Sequence, residues 1–333
     1  MRATTGQHWL IYALGGGLGH LTRAISLGRG AGQQRHTVHI LCNSPFAADL
    51  PLEDELPAGS AVTRIDPHLG RAEVAGQISE IVTKGDYDAL VVDTFPRGLG
   101  GELPPLLPGI KCPKILVHRD LNPQYVRDFD VSTAVKHFDR LLVPGEPAAC
   151  DQHTHAVVTA PWLIRDHDEL LDTDSARRVL QAPATGHLVV VLGSGRLEEV
   201  GLMADIATRL ERKLEGRASV RFIAPRLAGS TAIQHTNLWP LLPAVRAIDL
   251  LVGAGGYNTV NEAHVTHTPL LAFAHERLYD RQTARLRPEE MVSSESEMVT
   301  RAVAQLGARP AVPLYDNGVH EAARIIATEG RGC

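Results

Sequence analysis

Apolar residues along this chain come in short unbroken runs, not in alternating or long helical patterns. Residues 8–14, 37–42, 88–93, 114–118, 140–143 and 156–158 each read as a buried strand of one parallel sheet, because a strand covered on both faces needs no polar side. The pattern resumes at 187–192, 219–224, 248–252 and 269–273. Helical spacing appears between the runs. Leu202, Ile206 and Leu210 share a face within 197–214, and a final helix is expected over 321–327. Ser294-x-x-Glu297 is a capping-box pattern ahead of Val299 and Val303, which predicts a helix there. Pro104, Pro105 and Pro108 mark a loop.

Two of these strands run into glycine turns that open helices. Gly15-Gly-Gly-Leu-Gly-His-Leu-Thr-Arg23 follows the first strand, and Gly193-Ser-Gly195 follows the strand at 187–192. Strand, glycine turn and helix open a doubly wound α/β domain. The repeat predicts two such domains: residues 1–163, a polar acidic linker over 164–183, and residues 184–333, with the last helix free to pack back on the first domain. Ligands of such sheets bind beyond the carboxyl ends of the strands, so a cleft between two facing domains is the expected site.

The most informative stretch is Gly253-Ala-Gly-Gly-Tyr-Asn-Thr-Val-Asn-Glu262, with Pro269 and Asp280-Arg-Gln282 beyond it. Here the glycines, Gly255 and Gly256 among them, are read as a turn after the strand at 248–252. Close backbone approach and a helix N-terminus together make an anion site, most often for phosphate. Glu262 lies one turn into that helix, where a carboxylate suits the paired hydroxyls of a sugar; the alternative is a solvated glutamate on an ordinary strand–turn–helix.

Composition narrows the field. The hydrophobic fraction of 44% and charged fraction of 21% are those of a soluble globular protein. A formal net charge of -5 without basic runs argues against nucleic acid as a partner. No apolar run has the length of a membrane span, so integral membrane association is not expected. The first apolar run lacks a cleavage site of the signal-peptide kind. Cys42, Cys112, Cys150 and Cys333 are scattered, without metal-ligand spacing or a disulfide framework, and a cytoplasmic location is the simplest expectation. His153 and His155 read as a surface pair ahead of a ligand pair.

These residues resemble the GT-B glycosyltransferases, in particular the N-acetylglucosaminyltransferase of peptidoglycan lipid synthesis and the UDP-glycosyltransferase superfamily. The likeness rests on Gly256-Tyr-Asn-Thr-Val-Asn-Glu262, Pro269 and Asp280-Arg-Gln282, and is sharp over about fifty residues. It implies that Glu262 holds a ribose, that Asn258 and Thr259 contact phosphates, and that Asp280 and Gln282 contact a donor sugar. Gly193, Ser194 and Gly195 would also face the phosphates. The chain departs from the pattern at Ala254, where relatives commonly carry His or Arg, and at His267, where they often carry glycine. Arg196 is a candidate replacement for the missing cation. Gly17-Leu-Gly19-His20-Leu-Thr-Arg23 also resembles the Gly-x-Gly-His-x-x-Arg loop of a GT-B UDP-sugar hydrolase of sialic-acid-like sugar biosynthesis.

An inverting transfer needs a base for the acceptor hydroxyl and stabilisation of the departing diphosphate. His20, an imidazole titrating near neutral pH after a glycine loop, is the candidate base; the alternative is a helix cap. Asp93, ending a strand, either orients it or caps the next turn. Arg23 lies one turn on from His20 and could meet a phosphate or an acceptor carboxylate, or lie on the surface. His118-Arg-Asp120 ends another strand and could line the acceptor side. The reading is a glycosyltransferase moving a sugar from a UDP- or dTDP-sugar to an acceptor hydroxyl or amine, on a small-molecule or lipid-linked acceptor. The nucleotide-sugar is a co-substrate, and neither a cofactor nor a metal is required. Alternatives are a nucleotide-sugar hydrolase or epimerase, and a non-catalytic nucleotide-sugar-binding protein, which Ala254 favours.

Overall fold

A computed structural model describes residues 6–227, 233–307 and 309–330; Cys333 lies outside the described residues. The chain divides into two compact units. Unit 1 runs up to Trp162 and adds the short segment Leu278–Asp280 and the chain from Asn317 onward. Unit 2 comprises Leu163–Arg277 and Arg281–Asp316.

Unit 1 is built on seven parallel strands: β1 (His8–Tyr12), β2 (Thr37–Cys42), β3 (Ala61–Arg64), β4 (Ala89–Asp93), β5 (Lys114–Val117), β6 (Arg140–Pro144) and β7 (Ala156–Thr159). Their spatial order is β3-β2-β1-β4-β5-β6-β7. The continuous apolar runs explain the core strands: Trp9 to Tyr12 and Ala89 to Val92 are almost fully shielded from solvent. The edge strand β3 escapes the apolar criterion because its residues are half-buried or exposed and pair only with β2. The chain order reverses between β1 and β4, so the loops leaving these two strands diverge and open a crevice at their carboxyl ends.

Unit 2 carries β8 (His187–Leu192), β9 (Ala218–Ile223), β10 (His235–Thr236), β11 (Leu250–Ala254), β12 (Leu270–Phe273) and β13 (Met291–Val292) in the order β10-β9-β8-β11-β12-β13, all parallel. Its reversal point lies between β8 and β11. Both sheets are therefore doubly wound, the α/β architecture that the resemblance to GT-B proteins implies.

The sequence places Gly253 and Ala254 in a turn, but β11 runs through both, with Gly253 opposite Ala272 and Ala254 opposite Phe273. Residues 253 and 254 are buried strand positions, and the turn is confined to Gly255 and Gly256. Residues 164–183, expected as a linker, fold into unit 2. They hold the helix Thr173–Val179, capped by the Asp172 carboxylate on the Ser175 amide, and Leu170, Ala176 and Leu180 are buried. Asp166, Glu169 and Asp172 are capping groups of two short helical turns, which is why apolar periodicity is thin there. The last helix, Val319–Glu329, packs on the first helix, Leu18–Gln33, inside unit 1: a side chain at Gly30 would meet Val319 at 3.3 Å.

Candidate functional site

In unit 1 the candidate residues converge at the reversal point. The glycine turn after β1 delivers the helix Leu18–Gln33, with Gly17 as N-cap and no acid in its first turn. His20 sits at the start of this helix, and Asp93 ends β4 next door. The His20 Nδ1 lies 2.5 Å from Asp93 Oδ2. Because an ionised carboxylate only accepts, this bond places the ring proton on Nδ1 and leaves the lone pair on Nε2. The ring is 16% exposed while Asp93 is only 2% exposed, so the dyad is anchored inside and open at one edge.

Two features hold the ring in place. A Cβ at Gly15 would stand 2.1 Å from His20 Cδ2 and 2.6 Å from Nε2, so the imidazole occupies the space that only glycine leaves. On its other side the ring meets Phe95, centroids 5.2 Å apart. Gly16 and Gly17 would direct a Cβ into open space, and Gly19 only toward Arg23 Nη1 at 3.7 Å.

Arg23 corrects the reading from sequence. It is not a surface side chain: it is 1% exposed and clamps Asp93. Nε donates to Oδ1 at 3.0 Å, and Nη2 donates to Oδ2 at 2.7 Å and to the Thr94 hydroxyl at 3.2 Å. Thr94 adopts φ +71°, an outlier for a β-branched residue and a mark of strain just after the dyad. Burial raises the Asp93 pKa, but Arg23 and His20 outweigh it and hold the carboxyl well below the usual range. Burial lowers the His20 pKa below the ordinary histidine value, against the pull of Asp93. The spacing of three between His20 and Arg23 was the available sequence signal for a shared helix face; that both would meet Asp93 depends on β1 and β4 being neighbours.

His118, Arg119 and Asp120 are buried in unit 1. His118 Nε2 accepts from the Cys150 amide at 3.1 Å, and burial pushes its pKa down to about 4. Arg119 pairs with Glu146, Nε to Oε1 at 3.0 Å. Asp280 also belongs to unit 1, its Oδ1 3.9 Å from Arg119 Nη2.

In unit 2 both glycine turns flank the reversal point, after β8 and β11. They differ in electrostatics. The helix Leu197–Lys213, behind Gly193, Ser194, Gly195 and Arg196, already has Glu198 and Glu199 in its first turn. Glu199 accepts from the Arg196 amide at 3.3 Å and is paired with Arg277 at 2.6 Å. Gly195 is at φ +113°, and a Cβ there would stand 2.2 Å from Glu199 Oε2. Gly193 is required for packing, its Cβ position being 2.7 Å from Phe222. By contrast the helix Tyr257–Val265 begins at Gly256 with no acid in its first turn and no side-chain cap. A helix start of this kind offers backbone amides and the positive end of its dipole to an anion. A Cβ at Gly256 would meet nothing within 4 Å, whereas Gly255 makes room for Gln282 and Leu286.

Asn258 is half-buried at this N-terminus. Thr259 is turned inward, its Cγ2 3.5 Å from the Cβ position of Gly253. Glu262 lies one turn further along and is partly buried; burial pushes its pKa up to about 8 against the attraction of Arg165. Gln282 is buried, and its Oε1 accepts from the His275 amide at 2.9 Å, so it shapes the loop after β12. Unit 2 thus brings together Gly255, Gly256, Asn258, Glu262 and Gln282, while Asp280 goes with unit 1. Arg285 Nη1 donates to the Gly255 carbonyl at 2.8 Å, a cation beside the turn that the sequence reading missed because it lies thirty residues on.

Among the described residues no group of three or more His, Cys, Asp or Glu is placed to hold a metal ion, and no helix is long and apolar enough to cross a membrane. No protein-family model and no curated protein sequence matches the chain. Solved structures do. That of the glycotransferase of kitacinnamycin covers 98% of this chain and 95% of its own at 14% identity, TM-score 0.59. The spinosyn forosaminyltransferase SpnP gives 98%, 95%, 12% and 0.58. MurG of Acinetobacter baumannii gives 97%, 99%, 14% and 0.53. At these identities the likeness is one of fold.

Proposed function

We propose that this chain is a glycosyltransferase that moves a sugar from a nucleotide diphosphate donor, a UDP- or dTDP-sugar, to an acceptor hydroxyl or amine with inversion. The observation that carries the proposal is the His20–Asp93 dyad at the reversal point of the first sheet. A neutral imidazole with a free Nε2, held by a carboxylate, is a base for a hydroxyl proton. The uncapped helix at Gly256 and Asn258 supports the donor half, since free amides and a helix dipole meet a diphosphate. The fold shared with a kitacinnamycin glycotransferase and a forosaminyltransferase supports it from outside.

In this reading unit 2 binds the donor. The Gly256 and Asn258 amides meet the phosphates, while the Gly255 amide is held by the Phe273 carbonyl at 2.8 Å and that glycine only gives the turn its room; Gly193, Ser194, Gly195 and Arg196 lie on the neighbouring turn, and Glu262 takes the ribose hydroxyls. Unit 1 supplies the base from the first turn of the helix that Gly17 opens and that contains Gly19. As the acceptor oxygen attacks the anomeric carbon, its proton passes to His20 Nε2. The imidazolium that forms is balanced by Asp93, and the bond from the anomeric carbon to the diphosphate oxygen breaks. Charge on the leaving diphosphate is met by the helix N-terminus, so a metal is not required. The substrates in this reading are the nucleotide-sugar and a small-molecule or lipid-linked acceptor, in a reducing cytoplasm.

The test is to incubate the protein with a panel of nucleotide-sugars, with and without acceptors, and assay free nucleotide diphosphate. Release only with acceptor, and undiminished by a chelator, is expected. Equal release without acceptor would replace transfer by hydrolysis, and binding without turnover would make the chain a sugar-nucleotide-binding protein.

A further inference from the structure

We infer that Arg23 is a positioning residue of the site: it fixes the Asp93 carboxylate and cancels its charge, so that Asp93 orients His20 without converting it into a standing imidazolium. The inference rests on His20 being the base. Geometry carries it. A fully buried guanidinium must be paired, and this one engages both oxygens of Asp93 side-on, at 3.0 and 2.7 Å. Oδ2 is shared: it meets Arg23 Nη2 at 2.7 Å and His20 Nδ1 at 2.5 Å. The carboxylate therefore cannot rotate toward His20 alone. Thr94, strained at φ +71°, adds its hydroxyl to the same Nη2 at 3.2 Å.

The charges around His20 give the clamp a purpose. Asp93 faces the ring from the end of β4, Arg23 from its own helix, Arg119 from the loop after β5, and the Phe95 ring covers one side. A lone buried carboxylate beside an imidazole pulls its pKa up by about 1–3 units. Such a histidine would be protonated in a larger share of molecules at neutral pH, and that share could not take a proton. With Arg23 in place the Arg–Asp pair is close to neutral, burial prevails, and the ring stays unprotonated with Nε2 free. The device gives a base that is firmly oriented and unprotonated at neutral pH.

The test is the titration of His20 itself, followed by the imidazole resonances of the intact, uniformly labelled protein, with His20→Asn to assign them. In the wild type His20 should titrate below the ordinary histidine range. Arg23→Gln, which keeps amide donors but not the charge, should raise the midpoint by about one unit or more. Arg23→Lys should keep it low. Asp93→Asn, which leaves Arg23 facing the ring without its counter-charge, should lower it further, and the double variant Arg23→Gln with Asp93→Asn should return it toward the wild type. The last two decide the matter if Arg23→Gln fails to fold. In an active preparation the acid limb of kcat should follow the same order, and Arg23→Lys should lower kcat with the donor KM unchanged, because the side-on grip is lost. A His20 midpoint that stays within a few tenths of the wild type throughout overturns the inference. That result leaves the transfer assay untouched, while absent transfer with shifted midpoints would overturn the function and not the electrostatics.

Discussion

His20 is the residue on which the proposed chemistry depends, and two substitutions separate its roles. His20→Ala should lower turnover by about a hundredfold or more, with donor affinity nearly unchanged, since the phosphates are assigned to unit 2. His20→Asn should be almost as impaired, because an amide cannot take the proton. A capping role predicts the reverse, with Asn near wild type. The lowered pKa sets the sign of the pH dependence: activity is lost as pH falls through the folded-state value, below the ordinary histidine range, and the His20 variants lack that limb. Glu262 supplies a second sign. Burial pushes its pKa up to about 8, so the free protein at pH 7 holds this group mainly as the acid, whereas two donating hydroxyls favour the carboxylate. Nucleotide binding at pH 7 should then release about one proton, and affinity should rise toward pH 8 and level off. Calorimetry in buffers of different ionisation heat reads this directly. Glu262→Ala should weaken binding by ~1.5–3 kcal/mol, and an unchanged affinity with no proton release would remove Glu262 from the site.

At the level of elements, the two glycine turns do different work although their sequences look alike. Gly15 gives up its side-chain volume to the His20 ring, while Gly256 leaves an open approach to a helix N-terminus. Gly15→Ala should therefore act like a catalytic lesion. The added methyl, 2.1 Å from Cδ2, must push the ring off Asp93, so kcat falls while nucleotide affinity measured by calorimetry stays put; equal loss of both would mean that the turn itself has collapsed. The strands that form these turns were legible because each is an unbroken apolar run, and β2 and β8 match their predicted bounds. Of the edge strands only β7, an apolar run read at 156–158, was legible. β3 is half-solvated, and β10 and β13 have two residues each, so neither length nor burial marks them. The capping motif at Ser294 was read correctly as a helix start, yet the bonds differ: Ser294 caps the Glu297 amide, but the Glu297 carboxylate reaches back to Ser293, at 2.9 Å to its amide. A motif gives the position of a cap more reliably than the partner of each atom.

At the scale of the molecule, what sequence cannot supply is contact between distant segments. Asp93 and His20 could be named separately from a strand end and a glycine loop. That Arg23 clamps the same carboxylate required the neighbour relation of β1 and β4. The same limit applies to the end of the chain. From Asn317 onward the chain belongs to unit 1, where it is tied at several points. Gln7 Nε2 donates to the Ala327 carbonyl at 3.1 Å, Arg140 pairs with Glu329, and Val319, Ala322, Ala323, Ile326 and Ala327 are buried. Burying Val319 and Ile326 alone is worth about 3–6 kcal/mol, a large share of the roughly 5–15 kcal/mol that holds an ordinary domain folded. Ending the chain after Asp316 should therefore loosen unit 1 and spare unit 2, which takes no residue from the removed segment. Amide hydrogen exchange would resolve the two: protection of β1, β4 and β6 should fall by orders of magnitude, while β8 and β11 keep theirs. Unaltered protection of β1 would show that the last helix is an accessory to the first sheet, and equal loss in β8 would show that the two units fold as one.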